Sequence, residues 1–358
     1  MKKKVAALML AVSMVTMMTG CGNSQNKETD SQNVVDTKAN VSDETSEGTV
    51  YKVGIVQYVD DASLNQIEKA IETELTAKGQ ELGVTFDFEP YTHNGQADST
   101  VLNQIAADLV ADKVDIIVPI ATPAAMVMQN ATEDNQIPVV FSAVTDPVGA
   151  GLVAGNDVPG ANITGVSDAI DTEAIFNLIV TANPDTDKVG LLYDKSQAGS
   201  IKSIEDAKKY CDENGIEYVE KTGTTTPEIQ AAADALVAEK VDAIFTPQDN
   251  TIMTAELAIF EKFTEAGIPH YTGADSFALN GAFCGYGVNY TNLGVVTADM
   301  VVDVLVNGAD PATTPVNVLS DGIITINTET AEAVGIDFSV FAGMGSELIE
   351  TVTAKEFE

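Results

Sequence analysis

Six short stretches of this 358-residue chain carry side chains that can grip a small charged molecule without reacting with it. They are Gln57-Tyr58, Thr122-Pro123-Ala124-Ala125, Ser142-Ala143-Val144-Thr145-Asp146, Tyr193 to Ser196, Gln248-Asp249-Asn250, and Asp275. Each follows an apolar or β-branched run. Thr122-Pro123 reads as a helix N-cap followed by proline at the first helical position. The N–H groups of Ala124 and Ala125, with the hydroxyls of Ser142 and Thr145, can then hold a carboxylate. Asp146, Asp168, Asp249 and Asp275 can accept an ammonium group. Tyr58, Tyr193 and Tyr290 can wall an apolar or aromatic side chain. Gln57, Ala143, Ser196, Gln248 and Asn250 complete the rim. This chemistry suits a zwitterion. The plainer alternative is that an Asp after a strand caps a helix or shapes a turn, and that the aromatic rings are core.

Catalytic chemistry is not indicated. His93 lies in a turn-like Thr-His-Asn-Gly stretch and His270 in a strand, where it reads as a packed residue. No G-x-S-x-G elbow, P-loop, G-x-G-x-x-G fingerprint or H-E-x-x-H occurs. Asp60-Asp61 reads as a helix start or solvated loop. Neither catalytic residues, an enzyme activity, a metal site nor a cofactor is expected. The formal charge is −36, from 54 acidic and 18 basic residues. Such a surface repels phosphate backbones, so nucleic acid is excluded as a partner. Every basic residue is Lys. Without Arg there is no planar fork to clamp a carboxylate, which leaves Lys, hydroxyls and backbone N–H groups to do so.

The elements that must position these residues are written twice. Lys52 to Tyr58, Gly83 to Phe88, Lys113 to Pro119 and Ile137 to Phe141 recur in the same order, roughly 130 residues later, as Lys188 to Asp194, Gly215 to Glu220, Lys240 to Thr246 and Ile268 to Thr272. These runs read as buried parallel strands. Helical spacing separates them, as in Leu64, Ile67, Ile71 and Leu75, or Ile204, Ala207 and Cys211. Alternating strands and helices predict an α/β fold of two Rossmann-like lobes, each an open parallel sheet. Their facing rims would enclose a cleft. The tail after Gly281 completes both sheets, so the chain crosses between lobes near Ser167 to Asp171, Asn289 to Tyr290 and Pro315 to Gly322. Lobe one is expected to be 50–168 with 290–315, and lobe two 169–289 with 316–358.

The beginning of the chain reads as an address. Lys2 to Lys4 precede an apolar run from Val5 to Met18, too short to span a bilayer, and Thr19-Gly20 precede Cys21. Residues 1–20 are read as a signal peptide and Cys21 as a lipidated residue. Residues 21–49 then form a polar, disordered tether. Cys211 and Cys284 read as buried free thiols, with a disulfide between them the alternative.

Val53 to Gln57, Ala121 to Ala125, Val139 to Val153 with its Phe-Ser-Ala-Val-Thr-Asp-Pro run, Asn162 to Asp168 and Gln248 to Thr251 carry a resemblance over nearly all of residues 50 to 340. The chain resembles bacterial ABC-transporter substrate-binding lipoproteins of the tryptophan/tyrosine-binding kind. The resemblance implies a type I periplasmic-binding-protein fold with hinge crossovers. It implies an amino acid, commonly aromatic, as cargo, and an ABC permease with a cytoplasmic ATPase as partner. It also implies an extracytoplasmic, lipid-anchored monomer. The chain departs from the pattern at Asp60-Asp61, at Asp194 to Gln197 and at Gln248, all on the cleft rim. A sugar or nucleoside cargo, or a ligand-sensing receptor module, is the alternative.

Overall fold

A computed structural model describes residues 48–354; the leader, Cys21 and nearly all of the polar tether read from the sequence lie outside them. Among these residues the strands form two seven-stranded sheets. The first runs in the order Asn317–Val318, Ile163–Ser167, Val139–Ser142, Ile116–Ile120, Val50–Gln57, Thr85–Asp87, with Thr92–Asn94 also beside Val50–Gln57. All its pairings are parallel. The second runs Glu347–Thr351, Ile323–Asn327, Cys284–Gly287, His270–Thr272, Ala243–Thr246, Lys188–Tyr193, Glu217–Thr222. Only the pairing of Cys284–Gly287 with Ile323–Asn327 is antiparallel. Each sheet with the helices on its faces is one lobe.

The repeat has a physical basis. Lys113 and Lys240 both end a helix in the left-handed region. Two residues on, each Asp fastens the first strand of its sheet. Asp115 accepts from the Lys52 N–H at 2.7 Å, and Asp242 from the Lys188 N–H at 2.9 Å. The Lys52 and Lys188 ammonium groups reach back to the carbonyls of Asp112 and Glu239. The central strands are buried along their length, Val53, Ile55, Ile116 to Val118 and Val139 to Phe141 completely so. That burial explains why they read as continuous apolar runs.

The chain passes between sheets after Ser167, after Gly287 and after Val318. The second passage delivers the helix Tyr290–Leu305, which packs along Ala62–Leu82 of lobe one. Asn317–Val318 pairs with Ile163–Ser167 in the first sheet. This corrects the expectation that everything from residue 316 onward belongs to lobe two. A run of alternating polar and apolar residues between Pro315 and Gly322 carries no mark of which sheet edge it joins. Cys211 and Cys284 are buried and free.

Candidate functional site

Six helices begin at the carboxyl ends of strands where the two sheets face each other: Ala62–Leu82, Thr122–Thr132, Ala198–Asn214, Asn250–Ala255, Asp275–Leu279 and Tyr290–Leu305. Between them lies a cavity. Lobe one supplies Asp61, Ser63, Leu64, Ala121, Thr122, Ala143 and Thr145. Lobe two supplies Gln197, Gly199, Gln248, Asp249, Asn250, Met253, Ala274 and Phe277, and the crossings add Asp168 and Tyr290. None of these residues is basic.

The lobes touch across this cavity. Thr145 donates its hydroxyl proton to Gln248 Oε1 at 2.8 Å, and Gln248 Nε2 donates to Asp168 Oδ2 at 2.9 Å. Ser63 bonds to Asp275, and the Ser276 N–H donates to Ser63 Oγ at 3.3 Å. A methyl group placed on Gly199 would lie 3.4 Å from the hydroxyl oxygens of both Thr122 and Thr145. The helix of Gly199 therefore meets the helix of Thr122 almost end to end.

That meeting builds one end of the cavity. Thr122 is the first residue of its helix and Ala121 stands at the cap, which shifts the expected N-cap by one residue. Ala121 has φ 79° and ψ 152°, a region nearly reserved for glycine, and such strain costs about 1–3 kcal/mol. Ala143, opposite, is also left-handed at φ 54°. Ala125 donates to the Ala121 carbonyl at 3.1 Å, so its N–H is occupied, contrary to expectation. Thr122 and Ala124 remain among the leading amides that a helix leaves without intrahelical partners. The helix Ala198–Asn214 begins without a side-chain cap. Two positive helix ends and two threonine hydroxyls thus converge where an anion could sit.

The acids differ from one another. Asp249 is saturated: it accepts from the Thr251, Ile252 and Asp194 amides and from Ser200 Oγ. It caps a helix and joins two loops, although burial pushes its carboxyl up to about 6. Asp168 holds only Gln248 and a long 3.4 Å contact from Thr145, and burial pushes it up to about 7. Tyr290 lies among Asp168, Asp275 and Asp61, its buried hydroxyl without a hydrogen-bond partner among the described residues. Burial and those carboxylates raise its pKa. This corner can receive a cation, because an uncompensated buried carboxylate is costly until one arrives.

Of the residues singled out in the sequence, Thr122, Ala143, Thr145, Asp168, Gln248, Asp249, Asn250 and Tyr290 line this cavity together. The other expected residues are not on the wall. Gln57 is buried and donates to the Val59 carbonyl and Asn65 Oδ1. Tyr58 is half-buried beside Gln197. Pro123 and Ala124 lie behind Thr122 in the helix. Ser142 bonds Thr297 at 2.8 Å in the core of lobe one. Asp146 accepts from the Gly149 N–H and shapes a turn. Tyr193 donates to Glu220 at 2.7 Å on the outer side. Ser196 is exposed and bonds Asp194. Asp275 stands just behind the wall, held by Ser63 and Gln66. The plainer readings, of cap, turn and core, therefore hold for these.

Asp61 is the principal omission. It caps the helix Ala62–Leu82 through bonds from the Ser63 and Leu64 amides, yet it is buried in the wall. A position after a strand is legible; whether it faces solvent or the other lobe is not. Gln197 and Gly199 adjoin the expected Ser196, on the side that turns inward. Leu64, Met253 and Phe277 form an apolar flank. His270 is packed, with Glu256 and Thr246 at 2.9 and 2.8 Å and the rings of Phe263 and Phe277 against it.

Residues 52–340 match the family model described as ABC transporter substrate binding protein. A tyrosine-binding protein of Clostridioides difficile (strain R20291) is 33% identical over 334 residues, which is 92% of this chain and 92% of that one. A solved Streptococcus pneumonia domain in complex with L-Trp is 34% identical, with a TM-score of 0.76 over 84% of this chain and all of that one. The ligand-free, open structure of a Clostridium difficile substrate-binding protein with adhesive properties is 30% identical, with a TM-score of 0.65 over 85% and 100% of the two chains. The TM-score is thus higher against the L-Trp complex than against the open form.

Proposed function

The chain belongs to the ABC transporter substrate-binding protein family, and from that premise we propose that it captures a free amino acid, with an aromatic one favoured, by closing its lobes around it. The observation that carries this reading is the two-ended cavity: a helix N-terminus from each lobe and two threonine hydroxyls from lobe one at one place, and the under-compensated Asp168 next to them. The α-carboxylate would lie at Thr122, Thr145 and the amides around Gly199. The ammonium would lie at Asp168, Gln248 Oε1 and the Tyr290 hydroxyl. These two groups sit on one carbon in an amino acid, and the two corners share Thr145 and Gln248. The side chain would then point along Leu64, Met253, Ala274 and Phe277. The names of the relatives support an aromatic cargo, since one is a tyrosine-binding protein and another was solved with L-Trp.

Membership of the family places the working protein outside the cytoplasm. In our reading it is a monomer, held there by a lipid on Cys21 and handing its cargo to an ABC permease driven by a cytoplasmic ATPase.

A thermal-shift screen with amino acids, sugars and nucleosides tests the cargo. Ligand at about 100 times its Kd adds about 2.7 kcal/mol, so aromatic amino acids should raise the melting temperature clearly. A response to sugars or nucleosides with none to amino acids refutes the proposal. Closure is tested at Gly199. Gly199→Ala should bind within a few-fold of the parent, because the added carbon lies at ordinary contact distance. Gly199→Leu should lose about 100-fold or more in affinity by titration calorimetry, since its extra atoms must enter the closed interface. An unchanged Kd for the leucine variant would show that the lobes need not meet there.

A further inference from the structure

The first turns of two helices meet across the seam between the lobes: Ala62–Leu82 in lobe one and Asp275–Leu279 in lobe two. Each start carries an acid and a serine, Asp61 with Ser63 and Asp275 with Ser276. Their bonding is reciprocal. Ser63 Oγ donates to Asp275 Oδ1, and the Ser276 hydroxyl, which also touches Met253 Sδ at 3.2 Å, bonds Asp61. The Ser276 N–H donates to Ser63 Oγ at 3.3 Å, and Gln66 Nε2 reaches Asp275 Oδ2 at 3.4 Å. The bonds between these two starts all join one lobe to the other. Asp61 and Ser63 line the cavity, but Gln66, Asp275 and Ser276 do not. Gln66 and Asp275 instead line a separate surface groove with Val288, Asn289 and Glu347.

Resting on the amino-acid reading above, we infer that Asp275 is a positioning residue, which clasps the lobes together through Ser63 and strengthens binding without meeting the cargo. Hydrogen bonds that exist only while the lobes meet stabilise the closed state alone. A cargo held by the closed state then binds in proportion to the closed population. Burial pushes the Asp275 carboxyl up to about 7, so at pH 8 it is ionised and accepts from Ser63. Closure thus brings two carboxylates, Asp61 and Asp275, towards each other with serine hydroxyls between them. An amide oxygen in place of the Asp275 carboxylate still accepts the Ser63 proton, and the Gln66 amide can turn to accept from the new N–H. The same amide cannot neutralise an ammonium. Asparagine therefore separates a clasp from a direct contact with the cargo.

The test is titration calorimetry and stopped-flow dissociation at pH 8, with L-Tyr and L-Trp. The proteins are the parent, Asp275→Ala, Asp275→Asn, Ser63→Ala and the Ser63→Ala/Asp275→Ala pair. Asp275→Ala should weaken both ligands by the same factor, about 10-fold or more, as expected for a hydrogen bond to a charged group. The loss should lie in faster dissociation. Asp275→Asn should stay within about three-fold of the parent. Ser63→Ala breaks the same bond from lobe one and stands in where Asp275→Ala does not fold. The pair should be within about two-fold of its weaker single variant, because the second change has no bond left to break. If Asp275→Asn binds as weakly as Asp275→Ala, Asp275 is a counter-charge for the cargo and the clasp is overturned. Parent affinity in Asp275→Ala, or losses that multiply in the pair, overturns it as well. Each of these results leaves the cargo class standing. Failure of the parent to bind either amino acid overturns the amino-acid reading, and this inference with it.

Discussion

Replacing Asp168 with Asn should weaken amino-acid binding about 100-fold, while the ligand-free protein at pH 8 melts no lower than the parent. The two halves of this result have one cause. Asp168 is buried, receives one good hydrogen bond, and no basic residue lines the cavity with it. Removing one member of a buried, hydrogen-bonded charge pair costs about 2–5 kcal/mol of binding, so the ammonium would lose its main counter-charge. Without ligand the same charge is a liability, and a neutral isostere relieves it. Asn keeps an oxygen for Gln248 and offers its amide to Thr145, so the local bonds survive. Calorimetric titration and a melting curve on the same preparation decide the matter. Loss of affinity with a large drop in melting temperature would make Asp168 a structural residue instead.

The second large effect is on pH. The carboxyls of Asp168 and Asp275 are pushed up to about 7, and those of Asp61 and Asp249 to about 6, by burial first. In the unfolded chain these groups ionise near 3.8. Between about pH 4 and 7 the folded protein therefore holds protons that the unfolded chain has released. Stability falls as pH rises through that window and levels off above it. For Asp168 alone the difference corresponds to about 4 kcal/mol. Exposed acids such as Asp98 and Glu228 shift downward and act in the opposite sense, but their full exposure makes them minor. The ligand-free protein should thus melt higher at pH 5 than at pH 8. Ligand acts in reverse, because its ammonium favours ionised Asp168. The melting-temperature increment from a fixed, saturating amino acid should be larger at pH 8 than at pH 5. Scanning fluorimetry across this range, with and without ligand, measures both. A melting temperature that rises with pH, or an increment independent of it, would contradict the assignment of buried, under-compensated acids.

Much of the architecture was legible because it repeats. The Lys-Val-Asp echo marks the same backbone fastening in both sheets, at Asp115 and Asp242, and apolar runs between helical spacings identify buried parallel strands. Facing is what a linear pattern cannot express. Asp61 and Asp146 both follow strands and both accept backbone amides, yet one lines the cavity and the other turns a loop. Tyr193 and Tyr290 were equal as candidate walls. Only the packing shows that the first meets Glu220 while the second, inside, has no hydrogen-bond partner among the described residues. Met253 carries no mark that separates it from core, because a ligand wall and a core need the same side chains. The strained alanines at 121 and 143 give no sign in sequence, since alanine has no particular association with such backbone.

The convergence of two helix ends on one spot also makes the protein a chelator in the strict sense. Lobe one contributes the helix end at Thr122 and both threonine hydroxyls, lobe two the helix end at Gly199, and among the lining residues neither set contains a cationic side chain able to follow a departing carboxylate. Either half alone is a weak monovalent site; together they act at high effective concentration. A hinge opening of a few ångströms would take the helix end at Gly199 away from the other donors at once, with no arginine or lysine of the lining left tethering the cargo. Retention and discharge are then set by lobe separation, and anything that holds the lobes apart empties the site without competing for it.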